Sequence, residues 1–133
     1  EQVPDKLGGT ESSLIEIAPD APRLAKQAFA ATGADGFQSW VAGHEIEHFL
    51  VTGIETPICV YQTAISLIRD DQEVTLLTDC IGARRAEDAR VALEFLSHSS
   101  AHCLPSETVF YSLLETADHP LFRQYTRLVI DHA

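Results

Sequence analysis

Residues 49–64 read Phe-Leu-Val-Thr-Gly-Ile-Glu-Thr-Pro-Ile-Cys-Val-Tyr-Gln-Thr-Ala, and the architecture turns on this stretch. Its first half is a short apolar run, Phe49, Leu50 and Val51, closing on Gly53, the pattern of a buried strand. Its second half opens on Pro57, which suits a first helical position because its missing amide hydrogen would be unpaired there anyway. From Pro57 to Asp71, Ile58, Tyr61, Ile65 and Ile68 fall on one stripe, widened by Val60, Ala64 and Leu67. One face of this helix is therefore expected to pack on a sheet.

Reading outward, Phe37, Trp40, Val41 and Ile46 recur at helical spacing after Gly36 and predict a helix feeding the strand. The apolar spacing of Phe37 and Trp40 reads as core. Residues 1–35 are broken by Pro4, Gly8-Gly9, Pro19 and Pro22, with Ser13 and Glu16 placed to cap one short helical turn and a short strand expected near Arg23 to Lys26. Downstream, a strand is expected at Val74 to Thr78, a helix from about Ala86 to His98, and a third strand near Ala101 to Leu104. Ser106 is then expected to cap a helix carrying Val109, Phe110, Leu113, Leu114 and Ala117, and Pro120 to start a last helix through Phe122, Tyr125 and Val129. Strand and helix alternate, and crossovers of this length imply a parallel sheet wound right-handed, with helices on its faces. Chemistry in such sheets gathers at the carboxyl ends of the strands, here after Lys26, Gly53, Thr78 and Leu104.

A chain of 133 residues with 45% apolar content suits one globular domain over residues 1–133. No apolar run approaches the roughly 18 residues of a membrane helix, so no membrane partner is expected. A formal charge of -11, without a basic stripe, argues against nucleic acid. Three widely spaced cysteines, Cys59, Cys80 and Cys103, suggest neither a disulfide framework nor a zinc knuckle, which fits a reducing cytoplasm. The sequence has no methionine and starts at Glu1, so a preceding segment is expected.

Cys59 stands in the first turn of the expected helix. Unpaired amides and the helix dipole favour a thiolate there, and the same amides can hold an oxyanion. The commoner fate of a cysteine is to pack as a small apolar residue, so position alone leaves both roles open.

The run Gly-Ile-Glu-Thr-x-x-Cys-Val-x-x-Thr-Ala at Gly53 to Ala64 resembles the nucleophile motif of the isochorismatase-like cysteine hydrolases, a family that includes nicotinamidases and carbamoyl-amide hydrolases. Glu1-x-x-Pro4 with Leu7-Gly8 resembles the loop after the family's second strand, and Lys26-x-x-Phe29 its catalytic-lysine segment. Asp118-His119-Pro120-x-Phe122 with Leu128 resembles the tail of the small, single-domain branch. The resemblance implies a three-layer α/β/α fold with a parallel sheet, of Rossmann-like type. It implies hydrolysis of a small carbonyl substrate, an amide C–N bond, through a Cys59 thioester, with Lys26 beside the sulfur, holding the base and favouring negative charge. It also implies a cis peptide between Ile54 and Glu55, so that the backbone amides of Glu55 and Cys59 form the oxyanion hole, and a homo-oligomer, dimer or higher, assembled through the helix after the nucleophile and the C-terminal helices, where Phe110, Leu113, Leu121 and Val129 offer apolar surface.

No cofactor is implied. Family nicotinamidases bind zinc through an Asp and histidines upstream of the lysine, and Glu1 to Lys26 offers no such set, so no metal is expected. His44 and His48 have the i, i+4 spacing of metal ligands but read as a solvated helix end. The family's catalytic aspartate belongs on a first strand upstream of Glu1, so the domain is expected to be N-terminally incomplete. Asp79 reads as a structural aspartate before the Arg84-Arg85 turn. Two other readings stay in view: an inactive remnant or assembly module, because that aspartate is absent, and a vinyl-ether hydrolase working without the cysteine, which Cys59 disfavours.

Overall fold

The computed structural model describes residues 1–132. Its centre is a parallel three-stranded sheet in the order β1-β2-β3, formed by His48–Ile54, Glu73–Gly82 and His102–Leu104. Two short helices, α1 (Pro4–Leu7) and α2 (Ser12–Ile17), precede a 3-10 turn at Ala31–Gly33 and α3 (Phe37–Ala42). The first crossover carries a π-helical turn, Thr56–Val60, that runs into α4 (Tyr61–Arg69), and the second carries α5 (Ala86–Ser97). The chain closes with α6 (Ser106–Leu114) and α7 (Phe122–His132).

Strand order and helix placement follow from one another. Two successive right-handed crossovers stepping the same way across a sheet put both helices on the same face. Accordingly α4 and α5 touch each other as well as the sheet. Val60, Ala64 and Leu67 from this layer meet Val74 and Leu76 of β2 together with Leu96 of α5 and Ala101. Strand residues alternate faces, and Thr75 and Leu77 of β2 are buried as well, so the central strand is covered on both sides. Of the three layers, α4 and α5 form one flank, and α6 lies against β2.

Several expectations need correction. β1, read as buried, exposes Leu50 (42%) and Ile54 (73%), because it pairs with β2 on one edge and with no strand on the other among the described residues. The strand expected at Arg23 to Lys26 is a single parallel bridge between Gln2 and Lys26. The helix after Gly36 ends at Gly43, so Ile46 lies beyond it, and Trp40 is half-buried with its ring stacked on His44 rather than in the core. Glu11, not Ser13, caps α2, its carboxylate accepting the Ser13 amide at 2.7 Å. β2 runs past Thr78 to Gly82, since a register shift between Val51 and Gly53 lets pairing resume at Gly53 with Ile81. Gly53 takes φ 112° at this irregularity, a conformation that side chains oppose.

Ser106 also differs from expectation. It is the first residue of α6, not its cap, and the capping oxygens come from Asp79 across the sheet end. Asp79 accepts the Ser106 amide at 2.7 Å and its hydroxyl at 2.6 Å. This agrees with a structural role for Asp79. The Ser106 hydroxyl first, then its amide, hold the Asp79 carboxyl below the ordinary carboxylate range.

Two outcomes are expected. Leu76→Ala removes a wholly buried side chain and lowers stability by about 2–5 kcal/mol, while Leu7→Ala on exposed α1 costs less than about 0.5 kcal/mol, both read by urea titration. Because the folded Asp79 carboxyl titrates below its unfolded value, its contribution is complete above about pH 4 and is lost as pH falls through the lowered folded value. Asp79→Asn should flatten that part of the acid-unfolding profile.

Candidate active site

The turn from β1 into the first crossover is tied down by the two polar residues that follow Ile54. Glu55 accepts the Arg84 amide at 2.9 Å and pairs with the Arg84 guanidinium at 3.4 Å. The Thr56 hydroxyl, almost wholly buried, donates to the Gly82 carbonyl at 3.0 Å. Both bonds fasten the turn to the end of β2, and the Ile54–Glu55 peptide within it is cis. The next residues, Thr56–Val60, form the wide π turn that carries Cys59, half-buried at the carboxyl edge of the sheet.

The lysine comes from a separate segment, and hydroxyls on α4 hold it in place. The Ala31 amide donates to Thr63 Oγ1 at 2.8 Å, and the Thr32 hydroxyl donates to Ser66 Oγ at 2.7 Å. The segment doubles back so tightly that a Cβ on Gly33 would sit 2.6 Å from that of Ala28, which leaves room only for glycine. The result brings Lys26 Nζ within 3.9 Å of Cys59 Sγ. The ammonium also donates to Gln2 Oε1 at 2.5 Å, to the Phe29 carbonyl at 2.8 Å and to the Ala28 carbonyl at 3.1 Å. These three oxygens take its three hydrogens, so its attraction for the sulfur is chiefly Coulombic. Among the described residues no carboxylate pairs with Lys26, and the three oxygens on it are neutral.

Cys59 and Lys26 open onto a cleft of about 410 Å³ that runs along the edge of β1 left unpaired among the described residues, where Phe37 and Phe49 form an apolar wall. Phe37, read as core, therefore does both, packing on the core and lining the cleft. Among the described residues the one carboxylate lining the cleft is Glu1, and it is already engaged by the Thr10 amide and hydroxyl, each at 2.8 Å, which hold it in the charged form. Asp79 is turned to α6. Of the other thiols, Cys80 is exposed beside Asp79, and burial pushes the Cys103 thiol up. His44 and His48 do not share a helix: His44 stacks on Trp40 after α3, and His48 starts β1 and bonds Thr75 at 2.8 Å.

Sequence reasoning missed Gln2. A residue that shares one bridge with a lysine 24 positions away carries no local signal of that pairing. It also missed the anchoring of Glu55 by Arg84, although both side chains stood in segments already singled out.

Comparison with known proteins follows the same lines. Isochorismatase domain-containing protein 2 of Bos taurus is 32% identical over 129 residues, covering 97% of this chain and 62% of that protein. Its namesake from Xenopus laevis is 28% identical over 133 residues, covering 100% of this chain and 64% of that protein. The chain thus spans less than two thirds of the length of these relatives. The solved MAR1 ribonuclease from Caenorhabditis elegans superposes with a TM-score of 0.87 at 26% identity, over 98% of this chain and 67% of that one. A pyrazinamidase of Pyrococcus horikoshii in complex with zinc shares the fold, with a TM-score of 0.60 at 24% identity over 65% of this chain and 51% of that one. A zinc site does not fit the residues here: no histidine lies between Glu1 and Lys26, and the described residues hold no group of three metal-binding side chains. The family model of the isochorismatase domain matches residues 6–108, through the lysine segment, the cysteine turn and all three strands, and the chain belongs to the isochorismatase family.

Proposed function

We propose that the whole protein is a cysteine hydrolase that cleaves a small amide through a thioester on Cys59. The observation that carries this reading is the 3.9 Å approach of Lys26 Nζ to Cys59 Sγ, with only neutral oxygens on the ammonium. A cation so placed attracts the negative charge that the sulfur carries as nucleophile and leaving group.

In this mechanism the Cys59 sulfur bonds to the carbonyl carbon, and the carbonyl π electrons move onto oxygen. The amides of Glu55 and Cys59 donate to that oxyanion, where preorganised donors are worth most. Collapse re-forms the carbonyl and breaks the C–N bond, and the departing nitrogen takes a proton. Water then adds to the thioester, and the sulfur leaves as a thiolate with the acid as product. A carboxylate protonates the nitrogen and later deprotonates the water; the resemblance assigns this work to the aspartate of the family's first strand and not to Glu1, which Thr10 engages. Lys26 stays charged throughout and steadies the sulfur in the steps where it is anionic.

A second reading, an assembly module without activity, draws on that same lack of a free carboxylate in the cleft. RNA cleavage, the activity in the name of the Caenorhabditis elegans neighbour, suits this chain less well, because 20 acidic against 9 basic residues repel a phosphate backbone. A homo-oligomer is part of the proposal. Leu113, Leu121, Leu128 and Ile130 stand exposed on and beside α6 and α7, which hold each other through Tyr111, Phe122 and Tyr125.

In the full-length protein, brief iodoacetamide treatment followed by mass spectrometry should label Cys59 before Cys80 and Cys103. Nicotinamide, pyrazinamide and N-carbamoyl amides should be screened for ammonia release, with quenched samples showing an acyl adduct on Cys59. Cys59→Ala should lower the rate by at least about 10³-fold. Hydrolysis that survives Cys59→Ala, or an adduct on another residue, rejects the thioester. Slow Cys59 labelling without ammonia from any probe favours the module. Light scattering should give at least twice the protomer mass, and a monomer at high micromolar concentration would remove the oligomer from the proposal.

A further inference from the structure

We infer that Gln2 is a positioning residue of this site, holding the Lys26 ammonium against Cys59; this rests on the thioester reading of Cys59 given above. The backbone explains why the two side chains meet. Gln2 and Lys26 form a parallel bridge, flanked by the Lys26 amide donating to the Glu1 carbonyl at 2.8 Å and the Val3 amide donating to the Lys26 carbonyl at 2.9 Å. Residues paired in this way send their side chains to the same face, so the Gln2 amide lies alongside the lysine stem.

Both ends of that amide are used. Its oxygen accepts from Lys26 Nζ at 2.5 Å, and its nitrogen donates to the Gln27 carbonyl at 3.0 Å. An amide rotated by 180° would offer hydrogens to the ammonium and an oxygen to a carbonyl, so the pair of bonds fixes one orientation. The other two acceptors on Lys26 are backbone carbonyls of its own segment, at Ala28 and Phe29. Among the described residues Gln2 is thus the one side-chain oxygen that steers the ammonium.

The test reads charge at the sulfur directly and needs no substrate. On the full-length protein, second-order alkylation rates of Cys59 are measured with iodoacetate, an anion, and with iodoacetamide, which is neutral. Both reagents consume the same thiolate, so their rate ratio reports the local field. Lys26→Met should lower the iodoacetate to iodoacetamide ratio by about three- to tenfold. Gln2→Glu, of unchanged length, should lower it by a similar factor with Lys26 still present. Gln2→Met should lower it by about two- to threefold, and should have no further effect in the Lys26→Met background. A Gln2→Met effect of equal size with and without Lys26 would show that Gln2 supports the fold rather than the lysine, and overturn the inference. An unchanged ratio in Gln2→Glu would overturn it too, and that arm stands if Gln2→Met fails to fold. If amide hydrolysis is never found, the rate ratios still decide the role of Gln2. If the acyl adduct forms but the ratios do not move, Gln2 alone is rejected.

Discussion

The arrangement rests on the requirement that two parallel strands be joined by a crossover. β1 cannot turn back on β2; it must leave the sheet at its carboxyl edge, pass over one face as a helix, and re-enter at the opposite edge. The start of that helix therefore lies at the end of β1, where amide hydrogens lack intrahelical partners. Cys59 occupies that place because the crossover leaves few others for a side chain that can use those amides. Glu55 and Thr56 convert a topological position into a definite one, since their bonds to Arg84 and Gly82 tie the start of the helix to the neighbouring strand.

The second reacting group is organised on a different principle. Lys26 belongs to no strand beyond a single bridge, and what fixes it is a set of polar contacts at either end of its segment. Thr63 and Ser66 hold the Ala31 and Thr32 side from α4, and Gln2 holds the ammonium itself. Among the described residues the close acceptors around the cation are the neutral oxygens of Gln2, Ala28 and Phe29.

Elements whose evidence is local were legible in the sequence. Val74 to Leu77 and the stripe from Val60 to Leu67 are apolar at the right period, and the sheet between them follows from alternation. The pairing of Lys26 with Cys59 could be read only through the resemblance of two separated segments to one family, since nothing local relates residues 33 positions apart. What escaped was tertiary. The cap on α6 comes from Asp79 across the sheet end, so Ser106 looked like its own cap. The Thr56–Val60 turn is π-helical, and its wider winding leaves the apolar stripe that follows in phase, so spacing could not reveal it. Gln2 gave no sign because a polar residue in a Pro- and Gly-broken segment looks like any other.

The hydroxyls of Thr63 and Ser66 have a further consequence. They sit one and two turns beyond Cys59 on the same continuous helical run, and they grip the segment that carries the lysine. Nucleophile and cation therefore ride on a single body. A tilt or slide of α4 against the sheet carries both together, so the separation between sulfur and nitrogen is insulated from breathing of the core beneath them. Change in the sheet-facing residues of this lineage can then alter the shape of the cleft and leave the reactive pair in register, which lets one chemistry be kept while the molecules admitted to it diverge.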